Sequence, residues 1–199
     1  NQHVLTIDEP TNPGDVWIFP AAGDDVAPTQ ITHVFDYLAR EFELPRQEKL
    51  QWKGADGVTI EGLLYYPLAY EAGKRYPLVS QNHGGSASSD KFGFGRWIDY
   101  VQVLTAKGYA VLKTNFRGSG GYGAAFQRDR MRHFFNNSHL DILAGVDLVI
   151  DMGIADPDRL IKMGWSGGGY QTNWMITFTD RFKAASSGAG AVNWISMYG

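Results

Sequence analysis

The chain contains no cysteine, which excludes disulfides, thiolate nucleophiles and cysteine-ligated metals. Histidine is scarce, five in 199 residues, and no pair has the i, i+4 spacing of a helical metal site. Basic runs are also missing. Lys plus Arg number 18 against 21 Asp plus Glu, a formal net charge of -3, so nothing offers an electrostatic footprint to nucleic acid. No apolar run approaches the roughly 20 residues that a membrane-spanning helix needs, and neither an initiating Met nor a signal-peptide pattern is present. What the chain has in quantity is glycine, 24 residues, on a 44% apolar background. That composition builds a core and supplies tight turns or close backbone approaches.

Two textures divide the sequence. Residues 15–33, "DVWIFPAAGDDVAPTQITH", read as two short β runs around a polar turn, and two such strands alone are marginal. Residues 1–45 are therefore expected to be the end of a larger β domain, with "DYLAREFELPRQ" as connector. From Glu48 the pattern changes. "EKLQWKGADGVTIEGLLYYP" is two alternating runs around Asp56-Gly57, a hairpin signal. Strand and helix patterns then alternate: "YPLVSQN" (strand), "RWIDYVQVLTAKG" (helix), "YAVLKTNF" (strand), "SHLDILAGVDLVIDMG" (helix), "DRLIKMGWS" (strand), "GYQTNWMITFTD" (helix) and "RFKAASSGA" (strand). This alternation predicts an α/β domain over 46–199, its mostly parallel sheet covered by helices on both faces. In such sheets sites form at the carboxyl ends of strands.

Three strand-end loops carry candidate chemistry. Gly164-Trp165-Ser166-Gly167-Gly168 fits G-x-S-x-G between a strand and a helix, the context of a nucleophile elbow. The competing reading is a Gly-rich turn with a serine N-cap. The second, His83-Gly84-Gly85 after the "YPLVSQN" strand, stands where elbow hydrolases take an oxyanion donor, with Gly85 N–H the candidate and Gly167 N–H the other. His83 itself is expected to brace its loop. The third, "NFRGSGGYG" (115–123), satisfies G-x-G-x-x-G. It follows a hairpin and another strand instead of opening its domain, so a dinucleotide site is disfavoured. Asp141, Asp147 and Asp151 are expected on a solvated helix face, opposite a core stripe of Leu140, Leu143, Val146 and Ile150. Trp194 and Tyr198 read equally as core aromatics or as pocket walls.

Taken in order and spacing, His-Gly-Gly, "NFRGSGGYG", "DILAGVDLVIDMGIADPDRL", "GWSGGGYQTNW" and "TDRFKAASSGAGAVNWISMYG" resemble the prolyl oligopeptidase family of serine peptidases, in particular its acylaminoacyl-peptidase and dipeptidyl aminopeptidase branch. The resemblance spans nearly all of residues 46–199. It implies an α/β-hydrolase catalytic domain preceded by the last strands of a β-propeller. It also implies Ser166 as nucleophile, Gly167 and Gly85 as oxyanion donors, Trp194 and Tyr198 beside the substrate pocket, short peptides as substrates, and no cofactor. Two departures stand out: the family usually has Tyr where this chain has Gly167, and commonly Pro where it has Ser86. Arg117 is assigned to bracing its loop.

An elbow hydrolase orders its triad Ser, then Asp or Glu, then His. After Ser166 the only acid is Asp180, at the far end of the following helix, and no His follows. His83, His133 and His139 all precede the serine. The expectation is that Gly199 is a truncation point and that the isolated chain is largely inactive. Two alternatives remain at this point, a carboxylesterase on the same fold and a non-catalytic α/β interaction module.

Overall fold

A computed structural model describes residues 2–20, 27–85, 87–95, 99–129 and 137–198. The chain forms two compact units, Asn1–Leu44 with Lys91–Tyr100, and Pro45–Asp90 with Val101–Gly199. In the first, β1 (Gln2–Glu9) and β2 (Asn12–Pro20) make an antiparallel hairpin, and β3 (Thr29–Gln30) pairs with β2. A short helix, α1 (Asp36–Glu41), follows. The segment 91–100 belongs to this unit, where the Phe94 amide donates to Asp8 Oδ1 at 2.6 Å. Strand β1 has no counterpart in the sequence reading. Its side chains are nearly all exposed, so "QHVLTIDE" shows no clean alternation of buried and solvated positions.

The second unit is built on a sheet with strand order β4-β5-β7-β6-β8-β9 among the described residues. These strands are β4 (Gln47–Lys53), β5 (Thr59–Tyr65), β6 (Tyr76–Asn82), β7 (Ala110–Asn115), β8 (Ala155–Trp165) and β9 (Phe182–Gly188). Pairings β7-β6, β6-β8 and β8-β9 are parallel, whereas the hairpin joins through the antiparallel β4-β5 and β5-β7 ladders. The sheet is thus mixed, more so than the expected mostly parallel one, because the hairpin is an integral part of it.

Both faces are covered. The helix α4 (Ser138–Asp151) lays Val146 and Val149 on Leu64, Leu78, Leu112 and Leu160. On the other face Val101 and Leu104 of α2 (Val101–Ala106) pack on Leu63, Val79 and Val111. The helix read from Arg96 is described only from Val101; Arg96–Ile98 lie outside the described residues. A short α3 (Ala124–Arg128) precedes α4. The buried face of α4 is Ser138, Ile142, Gly145, Val146 and Val149, rotated from the stripe that periodicity gave.

Asp141 explains the rotation. It is not on a solvated face: it is fully buried, its carboxylate accepting from Arg117 Nη2 at 2.6 Å and Nε at 2.9 Å, and from the Arg117 amide at 3.0 Å. Trp52 of β4 donates from its indole to the Asp141 carbonyl at 2.8 Å. These contacts turn the helix toward the sheet through a charged residue that a hydrophobicity pattern assigns to water. Asp147 and Asp151 are exposed, as expected.

Candidate active site

The chain leaves β6 through α2 to reach β7 on one side, and leaves β8 through α5 (Gly167–Phe178) to reach β9 on the other. Neighbouring parallel strands whose connections diverge in this way open a crevice at their carboxyl ends. The His83–Gly85 loop and Ser166 occupy those two ends.

Ser166 has φ 55° and ψ -117°, one of few positive-φ residues other than glycine. Such a conformation is held only where the surroundings impose it. Its amide donates to the Gly188 carbonyl at 2.8 Å, and the Tyr170 amide donates to its carbonyl at 2.9 Å. It holds the N-cap position of α5, but its side chain makes no capping bond there, so the serine does not serve the helix as a cap, and the residue is exposed. The hydroxyl therefore stands free at the start of a 12-residue helix whose N-terminal dipole favours negative charge.

The two loops interlock at close range. A Cβ placed on Gly84 would lie 2.5 Å from the Trp165 carbonyl oxygen and 2.9 Å from Ser166 Cβ. One on Gly168 would lie 2.0 Å from the Asn82 carbonyl oxygen. Only glycine permits either approach. Gly167 and Gly85 come together as a result: a Cβ on Gly167 would sit 3.4 Å from Gly85 N. Gly85 itself has φ +80° and is exposed.

His83 is buried beneath this loop. Its ring stacks on Phe116 with centroids 4.9 Å apart, and its Nε2 lies 2.8 Å from Ser119 Oγ. That ring is a brace, as expected. Arg117 is a brace of wider reach: it is buried, bonds Asp56 of the hairpin turn as well as Asp141, and those bonds hold its guanidinium well above the ordinary arginine range. The segment "NFRGSGGYG" is thereby accounted for by internal contacts. His139 packs edge-on against Phe178, ring centroids 4.4 Å apart, about 18 Å along α5 from Ser166, and burial lowers its pKa. Asp180 lies beyond that end and is exposed. Neither is brought to the serine. Tyr198, on α6 (Trp194–Tyr198), is almost wholly exposed. The side chain of Trp194, and Ser86, His133 and Gly199, lie outside the described residues.

One buried residue, tied to the end of β6 from which the His83–Gly85 loop departs, has no counterpart in the sequence reading. Lys162 of β8 is fully buried four positions before Ser166, and its Nζ donates to Asn82 Oδ1 and to the carbonyls of Ser80 (3.2 Å) and Met163 (3.3 Å). The signal was a lone lysine inside the apolar run "RLIKMG".

A strained, exposed serine at a strand-to-helix turn, backed by a glycine loop from the adjacent strand, is the arrangement of enzymes that attack acyl groups with a hydroxyl. Residues 97–199 match the model of the prolyl oligopeptidase family, and the chain belongs to that family. Over its whole length it is 35% identical to the uncharacterized peptidase YuxL of Bacillus subtilis, of which it covers 30%. Over 69% of its length it is 37% identical to dipeptidyl aminopeptidase BIII of Pseudoxanthomonas mexicana, covering 21% of that protein. Among solved structures, the acylaminoacyl peptidase of Pyrococcus horikoshii superposes on all of the chain with a TM-score of 0.88 at 25% identity, the chain covering 31% of it. The chain thus spans about a third or less of the relatives it matches.

Proposed function

We propose that this chain carries the nucleophile and oxyanion hole of a serine peptidase acting on short peptides. The observation that carries the reading is Ser166: exposed, uncapped and at positive φ between β8 and α5. Its Oγ attacks the scissile carbonyl carbon as a base takes the hydroxyl proton. The carbonyl oxygen becomes an oxyanion between the N–H groups of Gly167 and Gly85. Collapse releases the amine, which receives the proton, and leaves an ester on Ser166 that water hydrolyses by the same steps. The described histidines of the same unit do not supply the base. No cofactor enters the sequence of steps.

The finer assignments follow from the family. Residues 46–199 are read as the leading part of an α/β-hydrolase domain, and residues 1–45 as the last strands of a β-propeller. The three-stranded antiparallel sheet of β1, β2 and β3 is compatible with such a blade. Trp194 and Tyr198 are assigned to the wall of the substrate pocket. Dipeptide or N-acyl-residue release is the expected activity, after the relatives that bear those names.

The test is covalent labelling by a fluorophosphonate probe, with turnover of dipeptidyl and N-acyl-aminoacyl anilides, using the protein as its source makes it. Ser166→Ala should abolish labelling and lower kcat by about 10³-fold or more. An S166A protein that still turns over anilides at the wild-type rate refutes the assignment.

A further inference from the structure

The sheet carries a cation where none is needed for packing. Lys162 is fully buried, and no carboxylate among the described residues pairs with it. Of the elements packed against β8, the strand β6 brings Tyr76, β9 brings the exposed Lys183, and α5 brings Tyr170. From α4 come the buried His139, the exposed Asp147 and Asp151, and Asp141, whose carboxylate is taken up by Arg117. The three groups that face Nζ are all uncharged oxygens. A buried lysine of this kind costs stability, and a methionine of similar length would fill the space without that cost.

The three acceptors share one location. Ser80 and Asn82 belong to the last three residues of β6, directly before the His83–Gly85 loop, and in the parallel β6-β8 ladder they stand opposite Lys162 and Gly164. The Asn82 carbonyl is also the oxygen that Gly168 approaches too closely for any Cβ. Anything that shifts Asn82 therefore shifts both the glycine loop and the first turn of α5. We propose that Lys162 is a positioning residue for the oxyanion hole: by tying Asn82 and the Ser80 carbonyl to β8, it sets the distance between the Gly85 amide and Ser166. This rests on the reading of Ser166 as nucleophile and of Gly85 and Gly167 as oxyanion donors.

The protonation state of the lysine supplies a signature. Burial lowers its pKa to about 7. Below that value an ammonium has three N–H donors for three acceptors; above it an amine has two, and one tie is lost. The tether is strongest on the acid side, and the catalytic base, common to every variant, cancels when variants are compared at one pH.

The experiment compares wild type, Lys162→Met, Lys162→Gln and Ser166→Ala in the protein as its source makes it, with active sites counted by the fluorophosphonate probe. In K162M, kcat per labelled site is expected to fall about tenfold, a part of the roughly hundredfold that losing an oxyanion donor outright costs, with KM within about twofold. The deficit should be larger at about pH 6 than at about pH 9, K162Q should recover part of it, and K162M should melt no lower than wild type. The proposal is overturned if K162M keeps the wild-type kcat, if the loss falls in KM, if the deficit is flat across pH, or if it tracks a loss of stability. An inactive S166A beside a fully active K162M refutes the lysine's role alone, whereas an active S166A refutes the reading of the site beneath it.

Discussion

At Gly84 an added methyl group would press on both the Trp165 carbonyl and Ser166 Cβ, the nucleophile in the proposed reading. Gly84→Ala should accordingly displace the loop and lower kcat by at least tenfold, with KM little changed, in steady-state assays. Gly167 behaves oppositely: a Cβ there finds neighbours only at 3.4 and 3.5 Å, ordinary contact distances. Gly167→Tyr should keep activity on the smallest anilides within a few-fold and change the ranking of larger side chains, read from a substrate panel. Lys162 makes a prediction of its own about stability. Its folded pKa of about 7 lies below the ordinary 10.5, so between those values the unfolded chain holds a proton that the folded chain has shed. Stability then rises with pH through that window, by several kcal/mol at full span. The difference between wild type and K162M in urea titrations should shrink from about pH 7 to pH 9.5. The positive-φ serine, the glycines of the two strand-end loops that approach each other, and the brace at His83 were all legible as residue types. Lys162 was not, because a pattern of apolar residues states where a side chain points and not which oxygens wait there.

Elements were legible where a wet face alternates with a dry one, as in β4, or where a short apolar run is bounded by turn residues, as in β6 and β7, which are buried on both faces. The hairpin β4-β5, strands β6, β7 and β8, and helix α5 were read close to their observed bounds because alternation or a glycine boundary marks them. Helix α4 was found but rotated, since its docking depends on the Arg117–Asp141 pair and on the Trp52 indole, and neither leaves a hydrophobic trace. That pair ties α4 to the loop after β7, and through Asp56 to the hairpin turn. Asp141→Ala would leave the guanidinium buried without its main partner and should cost about 3–5 kcal/mol in urea unfolding. Asp147→Ala, which removes only a surface contact to Arg181 at 2.5 Å, should cost less than about 1 kcal/mol. Equal losses for the two would show that the buried pair has no special part in docking the helix.

At the scale of the whole molecule, β9 ends the described sheet with one edge unpaired among the described residues, and most of its side chains are exposed. Trp165, Ile176, Phe178, Val192 and Ile195 add exposed apolar surface in the same unit. Expressed as residues 1–199 alone, the chain should therefore associate at micromolar concentration, which light scattering would detect, and Ala185→Lys on the open edge should reduce that association. A monodisperse monomer would contradict this. The alternating pattern of strands and helices foretold the architecture of this unit, while the crevice between diverging connections could be located only once strand order was known. That order has a consequence in time. Gly85 and Ser166 are 81 residues apart in the chain, with β7 and α4 between them in sequence, and they meet only when β8 pairs beside β6. A growing polypeptide from which both loops have emerged still lacks that crevice until β8 pairs with β6. On the proposed reading of Ser166, probe labelling during refolding of the protein as its source makes it should not begin before the β6-β8 pairing has formed.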